Sequence, residues 1–299
     1  AENGWFTKDS VSYALKYWSD VLSSDNIQSW LKDYKFKEAS RRVLVVTAGN
    51  IPLVGFHDVL CVLLSGNKLY LKPSSEDKVL MRYVLEVLQD LEPEWKDYIV
   101  YLDKPGMSFD AVIATGSNNT ARYFEYYFKD VPHVLRKNRN SVAILDSDTT
   151  DEDLILLGED IFRYYGLGCR SVSKVYLPKG FDIQRLFEAI HSYGDVLSNK
   201  KYYNNYMYYR TIYLMNKQPF LDNGFFLLKE DKGLASPVAN LFYEYYDNRQ
   251  GLTTQLESAN EDIQCIVGEG FESFGQTQKP ALNQYADGVD TLAFLADIS

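Results

Sequence analysis

Three cysteines, Cys61, Cys169 and Cys265, are the thiols available to this chain, and their surroundings differ. Cys61 falls within an apolar helical run and Cys265 within a strand-like run, so both read as core, where free cysteine is commonly found. Cys169 closes the loop Gly166-Leu167-Gly168-Cys169 between a helical and a strand-like segment. A thiolate there is a nucleophile, and the flanking glycines would let flat groups approach the sulfur closely. The odd count and wide spacing of the cysteines suggest neither a disulfide framework nor a zinc site. Thr115-Gly116-Ser117 closes one strand and opens a helix, a geometry whose N–H groups can receive a pyrophosphate. The sequence has no G-x-G-x-x-G, which argues against an ordinary Rossmann dehydrogenase. Asn50 follows a strand and, by itself, reads as a turn former. His57, His133 and His191 read as structural, with His57 the nearest to the strand ends.

The elements that must hold these residues are strands alternating with helices. Asp9 to Asp33 carries apolar positions at helical spacing and predicts a helix pair. The β-branched run Val43 to Thr47 leads through a tight turn to a helix from about Val54 to Ser65, and the unit repeats with Lys68 to Lys72 and Asp77 to Leu91. Further strands are expected at Tyr98 to Leu102, Ala111 to Ala114, Ser141 to Asp146, Val172 to Leu177, Phe225 to Leu228, Asn240 to Tyr246 and Ile263 to Val267. Helices are expected near Asp151 to Tyr165 and Leu252 to Asn260. Helical crossovers of this length predict parallel sheets with ligands beyond the carboxyl ends of the strands, so loops after strands attract attention first. At 299 residues the chain suggests two α/β lobes with a cleft.

The net charge of -10 excludes a non-specific nucleic-acid binder, which needs clustered Lys and Arg. No apolar run approaches the length of a membrane span, and the first ten residues lack a signal pattern, so a cytoplasmic protein is expected. The chain begins at Ala1 without Met, and its first residues carry no argument.

Taken in order, Val46-Thr47-Ala48-Gly49-Asn50-Ile51-Pro52-Leu53-Val54-Gly55, Ser65-Gly66-Asn67, Lys72-Pro73-Ser74-Ser75-Glu76-Asp77, Thr115-Gly116-Ser117, Gly166 to Cys169, Phe274-Gly275-Gln276 and Tyr285-Ala286-Asp287-Gly288-Val289-Asp290 resemble the aldehyde dehydrogenase superfamily. The likeness is closer to its acyl-CoA reductase branch, the LuxC-type fatty acyl reductases, and covers roughly Arg42 to Phe294. It implies a Rossmann-like NAD(P)-binding lobe with N-terminal helices over 1–145, an α/β catalytic lobe carrying Cys169 over 146–273, and a tail over 274–299 that returns to the interface between lobes. It also implies an acyl-CoA or acyl-carrier thioester as substrate and a homodimer as the usual assembly.

On this resemblance Cys169 takes the acyl group as a new thioester. Asn50 and the Cys169 N–H receive the oxyanion. Lys72, Ser74 and Ser75 hold the adenosine end of a nicotinamide cofactor, and Gly116 and Ser117 its pyrophosphate. Ser75 stands where many NAD-preferring relatives carry a glutamate; the missing carboxylate favours NADPH, with NADH an alternative. Arg136, 33 residues before Cys169, stands where hydrolytic relatives carry a glutamate base, and a guanidinium cannot activate water. Acyl reduction is therefore favoured over hydrolytic oxidation. The bland reading of Arg136 and Arg139 is a solvated basic turn. Gly233 replaces the glutamate that steadies the nicotinamide ribose, and Glu230 is given no role. The tyrosines from Tyr202 to Tyr213, with Phe225 and Phe226, read as lobe packing before they read as an acyl tunnel. The rival readings are a cysteine acyltransferase or thioesterase, and a non-catalytic protein that keeps the fold.

Overall fold

A computed structural model describes residues 3–36, 39–103, 108–259 and 261–298. Its contacts divide the chain into two compact units, 1–138 with 281–299, and 139–280.

The first unit opens with α1 (Lys8–Val21) and α2 (Ser24–Leu31), capped by Thr7 and Ser23, whose side chains accept backbone N–H groups of the first turn. Strand β1 (Arg42–Val46) leads to α3 (Phe56–Leu64), β2 (Lys68–Lys72) to α4 (Leu80–Leu91), and β3 (Ile99–Tyr101) and β4 (Ala111–Thr115) to α5 (Asn118–Tyr127) and β5 (His133–Arg136). All five strands run parallel in the order β3-β2-β1-β4-β5. Both faces are buried, as the continuous apolar strands require. Val43, Val45, Leu69, Leu71 and Ile113 pack on one side with α3 and α4; Leu44, Val46, Val112 and Ala114 pack on the other with Phe124 of α5.

The second unit begins with β6 (Asn140–Ile144), α6 (Asp151–Phe162), β7 (Val172–Pro178), α7 (Ile183–Ala189), α8 (Lys200–Met215) and β8 (Leu221–Asp222). It continues with β9 (Leu227–Glu230), β10 (Asn240–Tyr246), α9 (Arg249–Ser258) and β11 (Ile263–Val267). The sheet order is β11-β6-β7-β10-β9-β8, with only the β8–β9 pair antiparallel. α6 covers one face through Leu154, Leu157 and Ile161, and α9 covers the other through Leu252 and Leu256. The last helix, α10 (Thr291–Ile298), belongs to the first unit, where Leu292 and Leu295 enter the core beside α3.

Several expectations need correction. β6 pairs with β7 and β11, which assigns 139–145 to the second unit, and 274–280 stays there while 281–299 packs with the first. The strand expected from Phe225 begins at Leu227, because Phe225 and Phe226 donate their N–H groups to the Asn223 side chain in a turn. The tyrosine-dense segment is helix α8, with Tyr202, Tyr206 and Tyr213 buried, in line with the packing reading. β5 and α10 have no counterpart in the sequence reading.

Candidate active site

In the first unit the strand order places the candidates along one edge. Asn50 lies in the turn after β1, Lys72 ends β2 with Ser74 and Ser75 beyond it, and Gly116 and Ser117 follow β4. β2, β1 and β4 are neighbours, so these three loops are adjacent at the carboxyl end of the sheet. The chain winds one way from β1 to β2 and the other way from β1 to β4, which makes the β1/β4 gap the switch point where open α/β sheets take ligands. Asn50 and Gly116 flank it.

The loops are held closely. A Cβ on Gly49 would lie 2.8 Å from Ser74 Oγ and 2.9 Å from the Glu76 Cβ, so the Asn50 turn and the Lys72–Glu76 loop leave no space for a side chain there. Buried Asn3 ties the same two loops together, donating Nδ2 to the Gly49 and Glu76 carbonyls at 3.2 Å each. A Cβ on Gly55 would meet the Thr47 Cγ2 at 2.4 Å, so glycine lets α3 begin against the end of β1. Between them Leu53 is buried at φ 57°, a left-handed conformation rare for a branched side chain. Ser117 caps α5, accepting from Thr120 N at 3.3 Å, and Ser74 accepts from Glu76 N at 3.1 Å. Both hydroxyls therefore shape loops as well as standing at the candidate cofactor edge.

Arg136 is not a solvated turn residue. It ends β5, is 4% exposed, and forms a fork with Asp58 of α3: Nε to Oδ2 at 3.0 Å and Nη2 to Oδ1 at 2.7 Å. Nη1 donates to the Ala286 carbonyl at 2.6 Å and Nη2 to Thr291 Oγ1 at 2.8 Å. Burial pushes the Asp58 carboxyl up, but the Arg136 charge and hydrogen bonds outweigh it and hold Asp58 below its ordinary range. Burial likewise works against the guanidinium, and Asp58 more than restores it, so Arg136 stays charged. The sequence signal was Asp58 itself, a carboxylate within an otherwise apolar helix that requires a buried cation.

Other motif residues also serve architecture. Gly66 turns α3 into β2 at φ 77°, and buried Asn67 accepts Arg41 N at 2.9 Å. Tyr285 accepts from Trp30 Nε1 at 2.9 Å, and Asp290 accepts from Tyr34 at 2.7 Å. His57 Nε2 donates to the Leu282 carbonyl at 2.8 Å, with its ring among Trp30, Trp18 and Tyr285. His133 Nδ1 bonds the Val131 carbonyl at 2.8 Å, and His191 is exposed. The histidines match the structural reading.

In the second unit Cys169 is half-buried, whereas Cys61 and Cys265 are buried and burial raises both thiol pKa values. Cys169 occupies the second position of a turn closed by Ser171 N on the Gly168 carbonyl at 3.0 Å. The turn precedes β7, so Cys169 stands at the amino end of its strand, unlike the first-unit candidates. Tyr164, Tyr165 and Gly166 enter the loop with φ of 54°, 61° and 74°. Three consecutive left-handed residues, two of them tyrosines, make a strained approach to the thiol.

Asp160 of α6 is buried and accepts from Gly275 N, Thr277 N and Thr277 Oγ1 at 2.7, 3.0 and 2.8 Å. Burial raises its pKa to about 6 against these hydrogen bonds. The Phe274-Gly275-Gln276 motif is thus fixed to α6. Gly233 donates to Asp231 at 2.9 Å, and Glu230 is exposed at the end of β9. The sequence reading missed Asn3, Asp58, Ser141 and Asp160; each acts through a tertiary partner distant in the chain.

Among the described residues no helix is long and apolar enough to cross a membrane, and no three His, Cys, Asp or Glu residues group as metal ligands. The fold is similar to that of an aldehyde dehydrogenase from Bacillus cereus solved with NAD+, at 14% identity over 81% of this chain and 60% of that one, TM-score 0.58. It is similar to a Mycobacterium tuberculosis aldehyde dehydrogenase complexed with NAD+, at 15% identity over 85% and 65%, TM-score 0.58. A NAD-dependent aldehyde dehydrogenase from Sinorhizobium meliloti matches at 12% identity over 81% and 56%, TM-score 0.58. The chain thus spans about three fifths of the length of these structures. No curated protein matches it. The sequence model of the acyl-CoA reductase (LuxC) family matches residues 12–201, a span that takes in the Asn50 turn, the Lys72 loop and Cys169, and the chain belongs to that family.

Proposed function

We propose that this protein is a cytoplasmic, NADPH-dependent acyl-CoA reductase that releases an aldehyde through an acyl-cysteine intermediate. The observation that carries the reading is the contrast among the thiols: only Cys169 lies on a turn and outside the buried core. Family membership supplies the substrate class.

In the first half-reaction the Cys169 thiolate attacks the thioester carbonyl, a carbon–sulfur bond to Cys169 forms, and the bond to coenzyme A breaks as its thiolate leaves. On the family resemblance the Asn50 amide and the Cys169 N–H would carry the transient oxyanion. A nicotinamide cofactor, held by Lys72, Ser74, Ser75, Gly116 and Ser117, would supply hydride to the acyl carbon. Cys169 then leaves as thiolate and the aldehyde is freed. Arg136 supplies no base, because its guanidinium is charged and bound to Asp58, which keeps water activation out of the second half.

The residues at the first unit's carboxyl edge suit a dinucleotide: the Lys72 cation, two small serine hydroxyls, and two loops flanking the switch point. Ser75 in place of a carboxylate favours a 2′-phosphate. Ser75→Glu is expected to raise the KM for NADPH about tenfold, equivalent to roughly 1.4 kcal/mol of like-charge repulsion, and to leave the KM for NADH nearly unchanged. An unaltered ratio of the two constants would remove Ser75 from the specificity argument.

The test of the whole reading is single-turnover mass spectrometry with octanoyl-CoA. An acyl mass should appear on Cys169, vanish on adding NADPH with release of octanal, and be absent from Cys169→Ala. An adduct lost to water without NADPH would instead point to a thioesterase, and no adduct would point to a non-catalytic protein.

A further inference from the structure

The turn that carries Cys169 enters β7 where the second sheet slips register on both sides of one residue. β6 pairs Ser141 with Val172 but Val142 with Lys174, leaving Ser173 as an extra residue on β7. On the other edge Asn140 pairs with Ile263 and Ser141 with Cys265, leaving Gln264 extra on β11. Two bulges therefore meet at Ser141, and bulges re-aim the side chains around them.

Ser141 is fully buried and donates its hydroxyl to the Cys169 carbonyl at 2.9 Å. Cys265 is the residue of β11 paired with Ser141 of β6, and Arg170 Nη1 donates to Cys265 Sγ at 3.2 Å. Burial pushes the Cys265 thiol up, although the Arg170 charge works against it. The Arg170 side chain is thus bound to Cys265, the strand partner of Ser141, while Ser141 holds the peptide that joins Cys169 to Arg170. Together with the Ser171 to Gly168 turn bond, these contacts fix the backbone on both sides of Cys169.

We propose that Ser141, Cys265 and Arg170 are positioning residues for Cys169, locking its peptide so that its thiol and its N–H address one thioester carbonyl. The proposal rests on the reading that Cys169 carries the acyl group. Ser141 and Cys265 act through the turn and touch neither substrate nor cofactor. Their effect should fall on acylation, which needs aligned thiol and N–H, and spare alkylation, which needs only the thiol.

The experiment compares two rates on the Cys169 peptide of the full chain: acylation by saturating octanoyl-CoA and alkylation by iodoacetamide. Ser141→Ala should slow acylation about 10- to 100-fold, the scale of a small misplacement of a reacting group, while alkylation keeps the wild-type rate. Cys265→Ala, which removes the acceptor for Arg170, should do the same, which keeps the test open if Ser141→Ala fails to fold. Cys265→Ser, which retains an acceptor of similar size, should restore acylation. Wild-type acylation in Ser141→Ala and Cys265→Ala, or a parallel loss of both rates, would overturn the positioning role. If the wild-type protein itself took no acyl group, the Cys169 reading would fail first and this proposal with it.

Discussion

Asn50→Ala is expected to slow acylation of Cys169 by about 10²- to 10³-fold at saturating octanoyl-CoA, the usual cost of removing one oxyanion donor. In the proposed mechanism the amide meets charge that exists only in the tetrahedral state, so the loss should appear in the rate and leave the half-saturating thioester concentration nearly constant. Asn50→Asp should be at least as slow, since it keeps the shape but sets a carboxylate towards the oxyanion. The surrounding loop argues that the effect will be local. Asn3, the packing at Gly49 and the contact of Gly55 with Thr47 hold the turn through groups other than the Asn50 amide. Rapid-quench mass spectrometry gives both constants; a change confined to half-saturation would make Asn50 a substrate-binding residue and nothing more.

Arg136→Met should destabilise the first unit by about 3–5 kcal/mol, the typical cost of breaking a buried ion pair by removing one partner. Asp58 would lose both fork bonds, and the Ala286 carbonyl and Thr291 hydroxyl a donor each. All four tryptophans, Trp5, Trp18, Trp30 and Trp95, lie in that unit, so fluorescence during urea unfolding reports on it selectively. The double change Asp58→Leu with Arg136→Met should recover most of the loss, because no uncompensated charge remains.

The pH dependence carries a sign. In the wild-type protein the folded pKa of Asp58 lies below its ordinary 3.8, so its contribution is present above 3.8 and is lost as pH falls through the folded value. Without Arg136, burial, the largest influence on Asp58, is opposed only by His57 and the Thr291 hydroxyl, so the folded pKa should rise above 3.8 and stability fall as pH increases past that point. The penalty of Arg136→Met should therefore be large at pH 7 and shrink towards pH 4. An equal penalty at both would show that the pair's charge does not govern stability here.

Much of the architecture was legible because local signals agree with the global fold. β1, β2 and β11 could be read from short β-branched and apolar runs bounded by turn residues, and the opening helices from their spacing. β5 escaped because four residues beginning with His and ending with Arg carry no apolar alternation; they are a strand because β4 offers them a partner. α10 escaped because its apolar side becomes meaningful only against α3.

For the candidate site, the position of Cys169 on a glycine-flanked loop and the loops after β1, β2 and β4 stood out from the residues themselves, while Asn50, by itself a turn former, was nominated only by the family resemblance. The sequence could also place an arginine where a base is expected. It could not show that Arg136 is buried against Asp58, 78 residues away, or that Ser141 reaches the Cys169 carbonyl. Those contacts join strands and turns remote in the chain, and their partners are chosen by sheet order and by the two bulges at Ser141. Nucleophile and donor type are properties of single residues, whereas the state of a charge and the direction of a peptide bond depend on what folding packs around them.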